Sequence, residues 1–172
     1  MPDQKVRRSA ETPLRPRDPA SDPSASPFSH LDARGAARMV NVGAKPVQWR
    51  RAVAAARLVC QAATIRALRA HALPKGDVLA VANIAGIQAA KRTGELIPLC
   101  HPLPLDGVEV SFRLRRDGVD ITCAVETSAR TGVEMEALTG ACVAALTLYD
   151  MCKAVDKTMR VDGLRVLEKV KA

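Results

Sequence analysis

Aromatic side chains are almost missing: one Trp, one Tyr and two Phe make up 2% of the 172 residues. A core for this chain must therefore be built from Ala, Val, Leu, Ile and Met. The same scarcity argues against a site for single-stranded nucleic acid, where bases stack on aromatics interleaved with basic residues. No apolar run approaches the ~18 residues of a membrane-spanning helix, and the N-terminus lacks the basic, apolar, small-residue order of a secretory leader. The five cysteines, Cys60, Cys100, Cys123, Cys142 and Cys152, contain no Cys-x-x-Cys pair. Their odd number indicates neither a zinc site nor a disulfide framework. His101 has no second histidine or carboxylate at a chelating spacing. No metal and no other cofactor is indicated, and reduced thiols in the cytoplasm are the expected state.

What the chain has in quantity is aliphatic surface and positive charge. With 48% hydrophobic residues it can bury one core, and one domain is the default. A net charge of +8 asks for an anionic partner. The basic residues are scattered or gathered at helix ends rather than in one stripe, which favours a small polyphosphate over nucleic acid or a membrane surface. Residues 1–27 mix Pro, Arg, Asp and Ser with almost no apolar periodicity, the composition of a disordered tail. Residues 28–172 remain as the single folded domain.

Periodicity predicts strands over Arg38–Val42 and Ala52–Cys60, a short helix over Gln61–Ala70, and a helix over Asp77–Arg92 with Val81, Ile84, Gln88 and Lys91 on one face. Val108–Arg115 and Val119–Thr127 alternate around Asp117-Gly118, a hairpin signal. A long helix comes next, and Val161–Leu167, entered through Asp162-Gly163, predicts a last strand. The order implies an α+β two-layer sandwich, a mainly antiparallel sheet with helices packed on one face.

The stretch from Arg130 to Lys153 carries the most information. Leu138, Cys142, Ala145, Tyr149 and Cys152 recur at helical spacing, with Val143, Leu146, Asp150 and Lys153 as the neighbouring stripe. Residues three apart share a face, so Asp150 and Lys153 point the same way from a rod that otherwise reads as buried. A carboxylate beside a cation in a partly dry site suits proton transfer on a polyanion. Thr131 and Glu134 have the spacing of a capping box, which leaves Glu134 either a cap or a substrate contact. Glu136 faces roughly 200° away from Glu134, at about 100° per residue, so the two acids cannot share one task.

Three further clusters carry polar chemistry. Lys75-Gly76-Asp77 opens a helix, where free N–H groups favour an anion; Lys75 is either a phosphate ligand or a neighbour of an Asp77 cap. Lys91-Arg92 closes that helix, where cations complement the dipole. His101, between Cys100 and Pro102, sits on a constrained loop and could contact phosphate or carry a proton near neutral pH. His30 and His71 receive no role.

Taken together, K-G-D-V at 75–78, I-A-G-I-Q-A-A-K-R-T at 84–93, L-I-P-L-C-H-P-L at 96–103, T-G-V-E-M-E-A-L-T at 131–139 and L-Y-D-M-C-K-A-V at 148–155 resemble the MoaC family. Its members are the cyclic pyranopterin monophosphate synthases of molybdenum cofactor biosynthesis. The resemblance runs from about Leu31 to Lys169. It implies a ferredoxin-like α+β subunit and a homohexamer, a trimer of dimers with active sites at the dimer interface. It implies a 3′,8-cyclo-dihydroguanosine triphosphate as substrate. It also implies that Asp150, Lys153 and Lys75 are catalytic, that Leu99, Cys100, His101, Met135 and Glu136 bind substrate, and that Arg50, Lys91 and Glu134 are further pocket positions. The chain departs from the family pattern at Asn83, where arginine is usual, and at Asn41, where aspartate is usual; these two positions are expected to pair. It also closes on Glu168-Lys169-Val170-Lys171-Ala172, where the family commonly carries Lys-Ser-Gly-Gly-Lys-Ser-Gly. Such departures fit an alternative, a divergent paralogue that binds a nucleotide or a partner subunit without catalysis.

Overall fold

The computed structural model describes residues 35–73 and 76–172. The tail predicted over residues 1–27 lies outside the described residues, as do Pro74 and Lys75. The chain divides into two units, Met1–Ala37 and Arg38–Ala172, and every helix and long strand described belongs to the second.

In chain order the elements are β1 (Gln48–Val59), α1 (Ala62–Arg69), α2 (Val78–Lys91), α3 (Thr93–Leu96), β2 (Gly107–Leu114), β3 (Gly118–Ala129), α4 (Glu134–Cys152) and β4 (Arg160–Lys171). The sheet order is β2-β3-β1-β4 with every neighbouring pair antiparallel. That is the ferredoxin-like arrangement, two βαβ halves interleaved. Residues of even number on β1 turn to the helices: Ala52, Ala54, Ala56 and Leu58 are buried against α4. The fully buried large side chains are aliphatic or small, led by Leu58, Ile121, Leu148, Val119, Val125 and Val133, as the lack of aromatics requires.

The hairpin forms where predicted, closed by the Arg115 N–H donating to the Gly118 carbonyl at 2.8 Å. Other elements differ from the periodicity. Residues 38–42 are not a strand. The Asn41 side chain accepts from the Gly43 N–H at 2.8 Å and bends the chain away from extension, the local bond that makes Asn a turn former. The last strand is longer than predicted because β1 templates it along its whole length; Gly163, at φ +65°, absorbs a register shift between Ala55 and Arg57.

On α2 the predicted face exists, but it is the outer one: Val81 is 43% exposed and Ile84 58%. The core side is Val78, Ala82, Gly86, Ala89 and Ala90. Small residues face inward because α2 and α4 touch backbone to backbone. A Cβ on Gly86 would lie 3.0 Å from the Gly140 carbonyl oxygen and 3.2 Å from the Ala144 Cβ, and one on Gly140 would lie 3.2 Å from the Gly86 oxygen. Residue 86 thus meets both 140 and 144, while Ala90 approaches 140, so the two helices run antiparallel.

Candidate active site at the two ends of the helix layer

That antiparallel crossing sorts the predicted site residues into two groups. The C-terminus of α2 and the N-terminus of α4 share one end of the layer, with Lys91, Glu134, Met135 and Glu136. The opposite end holds the start of α2 and the last turn of α4, with Asp77, Asp150 and Lys153. Glu136 and Asp150 are separated by roughly 21 Å along the axis, at about 1.5 Å per residue. Among the described residues, one chain therefore does not bring Asp150 and Lys153 together with Lys91, Met135 and Glu136.

At the first end, Thr93 is buried and its hydroxyl donates to the Ala89 and Ala90 carbonyls, stapling the exit of α2. Gly94 has no side chain to keep Pro102 away; a Cβ there would lie 3.0 Å from the Pro102 Cα. This contact seats the Leu99-Cys100-His101 loop on the end of α2. His101 Nε2 lies 2.9 Å from the Val40 carbonyl oxygen, so the neutral ring carries its proton on Nε2 and leaves the Nδ1 lone pair open. Burial and then the nearby Glu136 charge push the Cys100 thiol pKa up.

Glu136 is the unusual group. It is 4% exposed, and its Oε2 has no hydrogen-bond partner among the described residues. Burial pushes its pKa up to about 7; a hydrogen bond from its own backbone opposes the rise and the Glu134 charge adds to it. Native proteins rarely leave such an atom unpaired, because the stranded acceptor costs about 1–3 kcal/mol. The stability consequence has a definite sign. The folded pKa lies above the ordinary 4.5, so between those values the unfolded chain has released a proton that the folded chain retains. Stability contributed by the neutral carboxyl is present at pH 4 and is lost as pH rises to about 7. Glu136→Gln is expected to melt with wild-type protein at pH 4 and above it at pH 8, by on the order of 3 kcal/mol. Wild-type and variant melting temperatures that differ equally at both pH values would mean that Glu136 titrates alike in the folded and unfolded chain.

Glu134 does not form the capping box. The helix starts after Val133 with no side-chain cap, and the Glu134 carboxylate is ion-paired with Lys169 on β4. A cation far along the chain overrides the local motif. Arg50 donates to the Ala129 carbonyl at 3.1 Å and the Arg130 carbonyl at 3.3 Å, so its guanidinium clamps the exit of β3. Arg130 in turn donates to the Lys45 carbonyl at 3.1 Å. Leu99 is half-buried, and Met135 is exposed beside Glu136.

At the second end, Asp150 and Lys153 form an ion pair at 2.7 Å, with side chains 53% and 58% exposed. The hydrogen bond that the Lys153 ammonium donates to the Asp150 carboxylate raises the Lys153 pKa. The juxtaposition was legible, but the dry setting is not there: the pair stands open at the helix end. Asp77 caps α2, its carboxylate accepting from the Ala80 N–H at 3.0 Å. At positions 41 and 83, where the family's aspartate and arginine are expected to pair, the two asparagines bond elsewhere: Asn41 accepts from the Gly43 N–H and Asn83 donates to the Val110 carbonyl at 2.8 Å. Lys169 and Arg130 went unrecognised in the sequence, since nothing near them in the chain marks their partners. Among the described residues no helix is long and apolar enough to cross a membrane.

The strand order defines a ferredoxin-like α+β protein, and its candidate site residues are divided between the two ends of one helix layer. The chain belongs to the MoaC family, whose sequence model matches residues 39–172. It is 56% identical over 144 residues to the cyclic pyranopterin monophosphate synthase of Chloroflexus aggregans, covering 83% of this chain and 87% of that one. To the synthase of the same name from Natranaerobius thermophilus it is 50% identical over 144 residues, covering 83% and 91%. It is also 53% identical over 142 residues to the molybdenum cofactor biosynthesis bifunctional protein of Chlorobaculum tepidum, covering 83% of this chain and 46% of that protein.

Proposed function

We propose that this chain is a cyclic pyranopterin monophosphate synthase of molybdenum cofactor biosynthesis. It is a cytoplasmic phosphorus–oxygen lyase that converts 3′,8-cyclo-7,8-dihydroguanosine 5′-triphosphate to cyclic pyranopterin monophosphate and diphosphate. The catalytic domain spans residues 28–172 and works as a homohexamer, a trimer of dimers with each site between two copies. The observation that carries this reading is the buried Glu136 carboxyl, whose Oε2 has no hydrogen-bond partner among the described residues. The guanine-type edge of the substrate offers adjacent N–H donors, and a carboxylate accepts two such bonds at once. Binding then satisfies the stranded oxygen and returns Glu136 to its ionised form.

The division of the site supports the dimer interface. A second copy that laid the end bearing Asp150 and Lys153 against the end bearing Glu136 and His101 would complete the constellation and cover the open ion pair. Exposed Val81, Ile84 and Leu146 give the helix layer an apolar outer surface for such contacts. Within the completed site, Lys75 and Lys91 neutralise the triphosphate, joined by His101 when its open Nδ1 takes up a proton and donates to a phosphate oxygen. Lys153 stays protonated beside Asp150, so the ammonium donates protons and the carboxylate accepts them as the ring opens and the pyran closes. A sugar hydroxyl attacks the α-phosphorus, its proton leaves to the carboxylate, and the bond to the β-phosphate oxygen breaks to release diphosphate. Positioning and charge neutralisation serve that last step.

Single-turnover conversion of the cyclo-dihydroguanosine triphosphate, following diphosphate and cyclic product together, tests the proposal. Equal yields of both are expected. Binding without either product would favour the non-catalytic paralogue.

A further inference from the structure

Asp156 is 2% exposed, and both of its oxygens are fully engaged. Oδ2 accepts from the Gln61 N–H at 2.8 Å and the Thr64 hydroxyl at 2.9 Å. Oδ1 accepts from the Thr158 N–H at 2.9 Å and the Thr158 hydroxyl at 2.7 Å. Burial alone would raise its pKa; the hydrogen bonds from Gln61, Thr158 and Thr64 outweigh burial and hold it at about 2. Gln61 stands at the N-cap position of α1 with no side-chain cap bond, so the cap is delivered by a carboxylate from the far end of the domain.

We propose that Asp156 is a positioning residue for the Asp150–Lys153 pair, fixing the exit of α4 on the entrance of α1. The inference rests on the reading above that this pair moves protons. A helix end frays unless the segment beyond it is anchored, and Lys153 occupies the C-cap position of α4. Beyond it the chain turns back at once: the N–H groups of Val155 and Asp156 both donate to the Cys152 carbonyl, at 2.9 and 3.1 Å. Asp156 then locks that turn onto Gln61 and Thr64. The side chains of Asp150 and Lys153 are both more than half exposed within the chain. The backbone that Asp156 anchors sets where the last turn of α4 presents them. Proton transfer depends on that geometry to within a fraction of an ångström.

The test compares Asp156→Asn with wild type in the full chain, at a temperature where circular dichroism shows both folded. Asparagine sets an NH2 against two donors in place of an acceptor. Single-turnover conversion is expected to slow by about 10- to 100-fold, with substrate affinity within about twofold. Amide hydrogen exchange over 150–155 should quicken by at least about tenfold, while α2 keeps its protection. Should Asp156→Asn fail to fold, Thr158→Ala removes one of the four bonds and is expected to shift both readouts in the same direction. Thr158→Ser keeps the hydroxyl and should restore them. A folded variant with wild-type rate and unchanged exchange overturns the proposal, and so does a rate loss that only tracks the unfolded fraction. Asp150→Asn and Lys153→Ala run in parallel separate the two ideas: wild-type rates there overturn the reading of the pair, and exchange in Asp156→Asn still decides the anchoring.

Discussion

Asp150→Asn protein and Glu136→Met protein, each close to inactive alone, are expected to recover about a quarter of wild-type activity when refolded together in equal amounts. Glu136→Met fills the buried space with an apolar chain of similar length, so the fold survives while the acceptor is deleted. A substrate edge left without its acceptor costs a site built for it roughly 10⁴-fold. Asp150→Asn keeps shape and removes the titratable group, with a loss on the order of 10²–10⁴. If each site takes Asp150 from one copy and Glu136 from the other, a mixed dimer contains one site with both defects and one with neither. Random pairing makes about half the dimers mixed, hence about a quarter of all sites intact. Recovery to that level has no explanation if each chain holds a whole site. Mixed protein that stays at the level of the separate variants would place both residues in one chain's site, contradicting the roughly 21 Å that α4 puts between them.

The sequence made some of this legible and hid the rest for identifiable reasons. Asp117-Gly118 named its hairpin, and Asp77 named its helix start, because the bonds that fix them are local. The ion pair of Asp150 and Lys153 was readable from spacing alone. On α2 periodicity found a true face but did not mark the buried one, because it tracks large apolar residues, whereas the buried face there was chosen by the close approach of Gly86 and Gly140. The capping-box spacing at Glu134 did not decide its role because its partner, Lys169, comes from a distant strand, and nothing in the sequence marked Asp156, whose partner Gln61 is equally distant along the chain. The opposed directions of Glu134 and Glu136 were legible from helix geometry, and the structure bears them out: one reaches β4 and the other is buried. The stranded oxygen of Glu136 was not, since it depends on what the tertiary fold withholds from it.

Gly140→Val is expected to cost about 3 kcal/mol, the upper part of the range for overfilling a packed core. At 2–4 °C per kcal/mol that lowers Tm by roughly 6–12 °C. A Cβ at 140 would lie 2.6 Å from the Cys123 sulfur, and Cys123 is fully buried on β3. On the other side stands the Gly86 carbonyl oxygen at 3.2 Å, a backbone atom that moves only with its helix. Gly140→Ala sets two effects against each other. Helix propensity favours alanine by about 1 kcal/mol, while the sulfur contact opposes it by about 1–3 kcal/mol, so the net change should still be destabilising. Adding Cys123→Ala removes the sulfur, and the double variant should recover most of what Gly140→Ala lost. Gly107→Ala, with nothing within 4 Å of the new Cβ, should melt within about a degree or two of wild type. Thermal melts of the four proteins decide the matter. A stabilised Gly140→Ala would mean that α4 stands further from Cys123 on β3 than this contact, and the seating of α4 on the sheet would then need redrawing.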